Sequence, residues 1–205
     1  MEESVNSSSN IVAILIVGIY LTLASCLLVL MLSRVLKEKY EKEKYMYTSN
    51  TDELTKCFNR RAYDSDMEKL DLNTEWVYIS LDLNGLKQAN DSLGHSAGDE
   101  LICAASNCMK FAFASYGKIY RIGGDEFVVL IHESVSNLDS ILQVFDATIH
   151  KWHGKYSSSI SVKNGVVKSS EQNFDSVQEI SKLADERMYQ NKKEYYTTSG
   201  NDRRR

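Results

Sequence analysis

An uncharged run of 22 residues, Ile11 to Leu32 (IVAILIVGIYLTLASCLLVLML), constrains this chain more than any other feature. A helix needs roughly 20 apolar residues to cross the hydrocarbon slab of a bilayer, so the run is long enough to span it. A cleaved signal peptide is the competing reading. It would carry a basic start, a shorter apolar region and a small-residue cleavage site. Here the chain starts with the acidic MEES and the run is too long, which favours a retained anchor. Glu2 and Glu3 precede the run, whereas Arg34, Lys37, Lys39, Lys42 and Lys44 follow it. Positive flanks stay on the cytoplasmic side. The expectation is a single-pass protein of the cell membrane, with residues 1–10 outside, the span at 11–32 and the remainder in the cytoplasm. So short an outer segment cannot fold into a sensor. Input would then come through the membrane or from a membrane sensor partner.

Residues 33–50, SRVLKEKYEKEKYMYTSN, read as a charged continuation of the helix. Val29, Leu36, Tyr40 and Tyr47 fall near one stripe, interrupted by Ser33 and Glu43. A short dimeric stalk and a solvated helix both fit that pattern. The net charge of −4 gives no basic field that would point to nucleic acid. The four cysteines, Cys26, Cys57, Cys103 and Cys108, form no C-x-x-C pair and read as reduced packing residues. His150 and His153 read as a solvated helix end rather than a metal site.

Beyond the stalk the chain alternates helical and strand-like patterns. Helices are expected over Asn59–Leu70, Ala97–Tyr116 and Leu138–Lys151, and after a capping box made by Ser176 and Glu179. WVYISLDL (76–83) reads as a buried strand. KIYRIGGDEFVVLIH (118–132) reads as a hairpin around Gly-Gly-Asp-Glu. The segment 157–170 is strand-like, with Asn164-Gly165 as a possible second hairpin turn. The fold class that follows is α+β: a mixed, largely antiparallel sheet with helices on its faces, preceded by one transmembrane helix.

The strand over 76–83 delivers Asp82 to its own end, and the turn Asn84-Gly85-Leu86-Lys87 then starts a helix. Asp125 and Glu126 sit on the tip of the hairpin expected beside that strand. Carboxylates converging from neighbouring strand ends are hard-oxygen ligands suited to Mg²⁺. Gly123 and Gly124 lack a Cβ and let a bulky group approach the backbone. A turn with free amide groups and a lysine at a helix start suits phosphates. Together these describe a nucleoside-triphosphate site. Taken alone, Gly-Gly-Asp-Glu reads equally well as a plain hairpin turn.

RIGGDEFVVL resembles the signature of the GGDEF family of diguanylate cyclases. DELTKCFNRRAY (52–63) is similar to the family's opening motif D-x-L-T-G-L-x-N-R-R. DLNGLKQANDSLGHSAGDEL (82–101) is similar to its D-x-D-x-F-K-x-x-N-D-x-x-G-H-x-x-G-D segment, and ADERMYQNKK (184–193) to its last helix. The resemblance implies a palm-like cyclase domain over 51–196, ahead of a basic tail at 197–205. It implies that Asp82, Asp125 and the backbone carbonyl of Leu83 hold Mg²⁺, with Mn²⁺ as an alternative. Gly123 and Gly124 would lie against the α-phosphate. Asn84, Gly85, Leu86 and Lys87 would cradle the β- and γ-phosphates with help from Lys192, and Asn90 and Asp99 would read guanine. Glu126 would be a second acidic group at the reacting centre. The implied reaction joins two GTP molecules, one per subunit of a homodimer, into cyclic di-GMP and two pyrophosphates.

The chain departs from the family pattern in places. Lys56-Cys57 replaces Gly-Leu in the opening motif, Asn84 replaces the second Asp of D-x-D, and Leu86 replaces Phe. Tyr195-Tyr196 stand where Gly-Arg often follows the last lysine, and basic residues return only at Arg203 to Arg205. The family's product-inhibition motif, R-x-x-D, would fall on Ala114-Ser115-Tyr116-Gly117, which lacks both charged groups. Two further readings compete with the enzyme: a catalytically silent module that binds nucleotide and signals by protein contact, and a membrane scaffold. The intact Gly123-Gly124-Asp125-Glu126-Phe127 favours catalysis over silence.

Overall fold

The strand Val77–Leu83 (β2) organises the molecule, because its side chains are buried on both sides of the sheet. Such a strand reads as a near-continuous apolar run rather than an alternating one. Val77, Ile79, Leu81 and Leu83 join one core, while Tyr78 joins a second on the opposite face.

In a computed structural model of the chain, residues 2–132, 135 and 137–199 are described, with side chains over 17–191 apart from 133, 134 and 136. Ahead of β2 come helix α1 (Glu2–Asn50), a two-residue strand β1 (Phe58–Asn59) and helix α2 (Arg60–Met67). After it come α3 (Leu86–Leu93), α4 (His95–Phe113), β3 (Gly117–Arg121), β4 (Glu126–Ile131), α5 (Leu138–Lys151), β5 (Val162–Lys168) and α6 (Val177–Ser199). The chain divides into two compact units, Met1–Ser49 and Asn50–Arg205.

The first unit is the helix α1. Over Val17–Asn50 it is long and apolar enough to cross a membrane by length and composition, with a mean hydropathy of 2.1 in its most apolar window. Ser25 and Ser33 return their hydroxyls to the carbonyls of Thr22 and Leu30 within the helix, both at 2.8 Å. Hydroxyls paired within the helix in this way suit an apolar surrounding.

In the second unit the five-stranded sheet has the order β1-β3-β4-β2-β5. Only the β1–β3 pair is parallel; β3–β4, β4–β2 and β2–β5 are antiparallel. The mixed, largely antiparallel sheet expected from the sequence is the one observed. Helices α4 and α5 cover one face, where Phe113 and Phe145 meet with ring centroids 5.2 Å apart. Helices α2 and α6 cover the other, where Tyr63 and Tyr78 pair their hydroxyls at 2.9 Å.

Local details follow from the residues. Asn59 caps α2 by accepting from the amide of Ala62, so this helix begins one residue later than expected and ends at Met67. Ser176 accepts from the Glu179 amide at 3.2 Å, but the Glu179 carboxylate reaches back to the amide of Asp175 rather than to that of Ser176. One correction is larger. Asn164-Gly165 is not a hairpin turn; both residues lie inside β5, paired with Leu81 and Ser80. A Cβ on Gly165 would stand 1.9 Å from the Ala184 carbonyl oxygen, so glycine is there to let α6 lie against the strand.

Candidate functional site

Asp82 comes one residue before the end of β2 and is half-buried. Its cross-strand neighbours are Glu126 on β4 and Lys163 on β5. Directly opposed residues in a sheet point to the same face. The alternation along β2 places this row with Tyr78 and Ser80, on the face covered by α6. Next to it the amide of Leu83 donates to the carbonyl of Asp125 at 3.0 Å, which fastens the hairpin tip to the end of β2. Asp82, Leu83, Asp125 and Glu126 therefore converge at one corner, although 42 positions separate Leu83 from Asp125.

The tip is the loop between β3 and β4, closed by amides of Ile122 and Gly123 that donate to the Glu126 carbonyl at 2.9 and 3.3 Å. A Cβ on Gly123 would meet Glu126 Oε2 at 2.6 Å, whereas one on Gly124 would meet nothing. Gly123 makes room for the carboxylate above it, and Gly124 keeps an open backbone face.

Sequence reasoning missed the group that holds this loop. Arg121 donates from Nε and Nη2 to the Gly124 carbonyl, at 3.3 and 2.9 Å, and from Nη1 to both carboxylate oxygens of Asp52 at 3.1 Å. Asp52 also accepts from the Thr55 amide and hydroxyl at 2.8 and 2.7 Å. Burial alone would raise the Asp52 carboxyl, but the Thr55 donors and the Arg121 guanidinium hold it below its ordinary value. One guanidinium thus joins the opening motif to the signature loop. The arginine was visible beside the signature; its partner, 69 positions away, was not.

On the other side of Asp82, the Asn84 amide donates to the Ser161 carbonyl at 2.8 Å and its Nδ2 to Ser161 Oγ at 3.2 Å. Gly85 turns the chain with φ of 79°, a conformation that costs glycine nothing. The helix α3 that follows has no side-chain cap, so its first amides, beginning at Leu86 and the exposed Lys87, are open to an anion. Asn90, on the same helix, packs across the start of α4: a Cβ on Gly98 would come 2.1 Å from Asn90 Oδ1. Asp99 is the next residue along α4 and is exposed. Asn90 and Asp99 thus both stand at the corner between α3 and α4. Lys192 lies in α6 along the backbone, but its side chain is outside the described residues, as are Arg203 to Arg205.

The donor set fits a hard divalent cation. Asp82 and Asp125 supply carboxylates, and the Leu83 carbonyl belongs to the same corner. Among the described residues no group of three His, Cys, Asp or Glu side chains gathers at one point. Mg²⁺ suits such a partial set, because it keeps waters and substrate phosphates among its ligands.

The family model for the diguanylate cyclase GGDEF domain matches residues 49–197. The chain belongs to the GGDEF family. It is 33% identical over 150 residues to a protein named probable diguanylate cyclase DgcI of Escherichia coli, covering 72% of this chain and 32% of that one. It is 27% identical over 167 residues to diguanylate cyclase DgcM of Escherichia coli, covering 77% of this chain and 40% of that one. The chain therefore spans well under half the length of these relatives. Among solved structures it resembles the coiled coil and GGDEF domain of DgcB from Caulobacter crescentus, in complex with c-di-GMP. That likeness has a TM-score of 0.66 at 22% identity, covering 82% of this chain and 91% of that one, and it supports the fold.

Proposed function

We propose that the chain is a diguanylate cyclase that joins two GTP molecules into cyclic di-GMP and releases two pyrophosphates. It works as a homodimer, tethered to the cell membrane by α1 with the second unit in the cytoplasm. The observation that carries this reading is the fastening of an intact Gly-Gly-Asp-Glu tip to the end of β2, which gathers Asp82, Asp125 and Glu126 at one corner.

Asp82, Asp125 and the Leu83 carbonyl would hold Mg²⁺ or Mn²⁺. The ion supplies charge stabilisation at the phosphate undergoing substitution. Gly123 and Gly124 give the α-phosphate close access to the backbone. The amides from Leu86 onward, with Lys87 and Lys192, take the β- and γ-phosphates. Asn90 and Asp99 recognise the base: a carboxylate accepts from the N1–H and N2–H₂ edge of guanine, which adenine lacks. Each 3′-hydroxyl oxygen forms a bond to the α-phosphorus of the other nucleotide, the bond to pyrophosphate breaks, and the hydroxyl proton is released to solvent. Dimerisation supplies the facing geometry.

The test uses the full chain in detergent micelles with GTP and Mg²⁺, its products separated by chromatography. Cyclic di-GMP is expected. Asp125→Asn should lower the rate about 100-fold or more while the circular dichroism is unchanged, since a charge-stabilising group at the reacting phosphate is lost. GTP binding by the natural chain without any cyclic di-GMP would instead establish the silent nucleotide-binding module.

A further inference from the structure

We propose that Lys163 is a further substrate-binding residue of this site and that its ammonium holds the terminal phosphates of the nucleoside triphosphate; the proposal rests on the reading above. Lys163 lies on β5, directly opposite Asp82. Asp82 in turn lies opposite Glu126, so one row across three strands reads Lys163, Asp82, Glu126. Cβ atoms of directly opposed residues are about 5 Å apart, well within the reach of a lysine stem.

The face to which this row points is settled from β5 itself. Val167 packs into the core under α6, and Gly165 touches the Ala184 carbonyl. Lys163 is two residues before Gly165 and so shares that face. Along β5 the helix is pinned twice more. Arg187 Nη1 donates to the Val166 carbonyl at 2.5 Å, and Asn191 Nδ2 donates to the Asn164 carbonyl at 2.9 Å. Helix α6 therefore runs antiparallel to β5 and brings its backbone at residue 192 to the end of the strand where Lys163 stands. The hairpin tip with Gly123 and Gly124 approaches Asp82 from the other side, through β4. If the tip takes the α-phosphate, the β5 side is left for the phosphates beyond it. A half-exposed lysine beside the Asp82 carboxylate suits them.

A purely structural role would make Lys163 a cross-strand partner of Asp82 and nothing more. The two roles separate in a binding series. Full-length protein in detergent, with Mg²⁺, is titrated with 3′-deoxy-GTP, 3′-deoxy-GDP and GMP; the deoxy compounds lack the attacking hydroxyl and are not consumed. Lys163→Met should weaken 3′-deoxy-GTP about tenfold and GMP less than about twofold, because a charge-assisted bond to phosphate is lost. Lys163→Arg should restore most of the affinity. Equal weakening of all three nucleotides, or none, would assign Lys163 to the sheet alone and overturn the proposal. Failure of the natural chain to bind any of them would overturn the functional reading itself, and the two failures are distinguishable.

Discussion

At the scale of single residues, the ion pair of Asp52 and Arg121 has the clearest energetic consequence. A carboxyl held below its ordinary value of 3.8 is stabilised in its ionised form by the fold. Its contribution is complete above that value and is lost as the pH falls through the lowered one. Asp52→Asn should therefore destabilise the protein by about 1.5–3 kcal/mol at neutral pH, the usual size for hydrogen bonds to a charged group. The deficit should shrink when urea unfolding is repeated near or below pH 3.8. A deficit of equal size at both would remove the charge from the account. The same residues mark what was legible. That Asp82, Gly123, Gly124, Asp125 and Glu126 come together was readable, because each sits in a local pattern of strand, turn and carboxylate. The partnership of Arg121 with Asp52 was not, because it joins a loop to a hairpin through the sheet. Lys56 is intermediate: it stands where the family pattern has glycine, and its φ of 58° shows the left-handed turn that glycine would make at no cost.

At the scale of elements, α6 and β5 carry the main lesson. An Asn-Gly pair between apolar residues is the ordinary mark of a hairpin, and it misled here. Glycine serves a turn and a close approach equally well, and only the packed helix distinguishes them. Gly165→Ala would place a Cβ 1.9 Å from the Ala184 carbonyl oxygen and 2.6 Å from the Met188 nitrogen. Both atoms are backbone, so the helix itself must move. A loss of about 1–3 kcal/mol is expected on thermal unfolding, the usual cost of overpacking. On the proposed function, cyclase activity should fall as well, because Lys192 rides on the displaced helix. A variant as stable as the natural chain would show that α6 is free to shift. The strands and long helices were legible for a simpler reason: β2, β4 and α5 have apolar patterns long enough to impose their own periodicity. The two-residue β1 has none, and its pairing with β3 is a product of the assembled sheet.

For the whole molecule, the missing charges at Ala114 and Gly117 bear on control. The family's product clamp needs an aspartate where Gly117 stands, and there a Cβ would come 2.3 Å from the Leu130 carbonyl oxygen of β4. The strand pair leaves no room for a carboxylate side chain in this arrangement. On the proposed function, cyclic di-GMP should then compete only weakly, at the site proposed for GTP. Initial rates measured against cyclic di-GMP at several GTP concentrations should show inhibition that excess GTP relieves. Inhibition that saturating GTP fails to relieve would reveal a distal product site. The pairing of β2 on both of its sides has a last consequence. A strand hydrogen-bonded along both edges belongs to the part of a fold that opens only when everything opens. Helix α3, across the corner, contributes no fully buried side chain, only the half-buried Leu86 and Ala89 against the core, and stands lower on that scale. On the proposed function the site would have one fixed jaw, which carries Asp82, and one more easily opened, which carries Leu86 and Lys87. Nucleotide would then enter and leave past the second without disturbing the first.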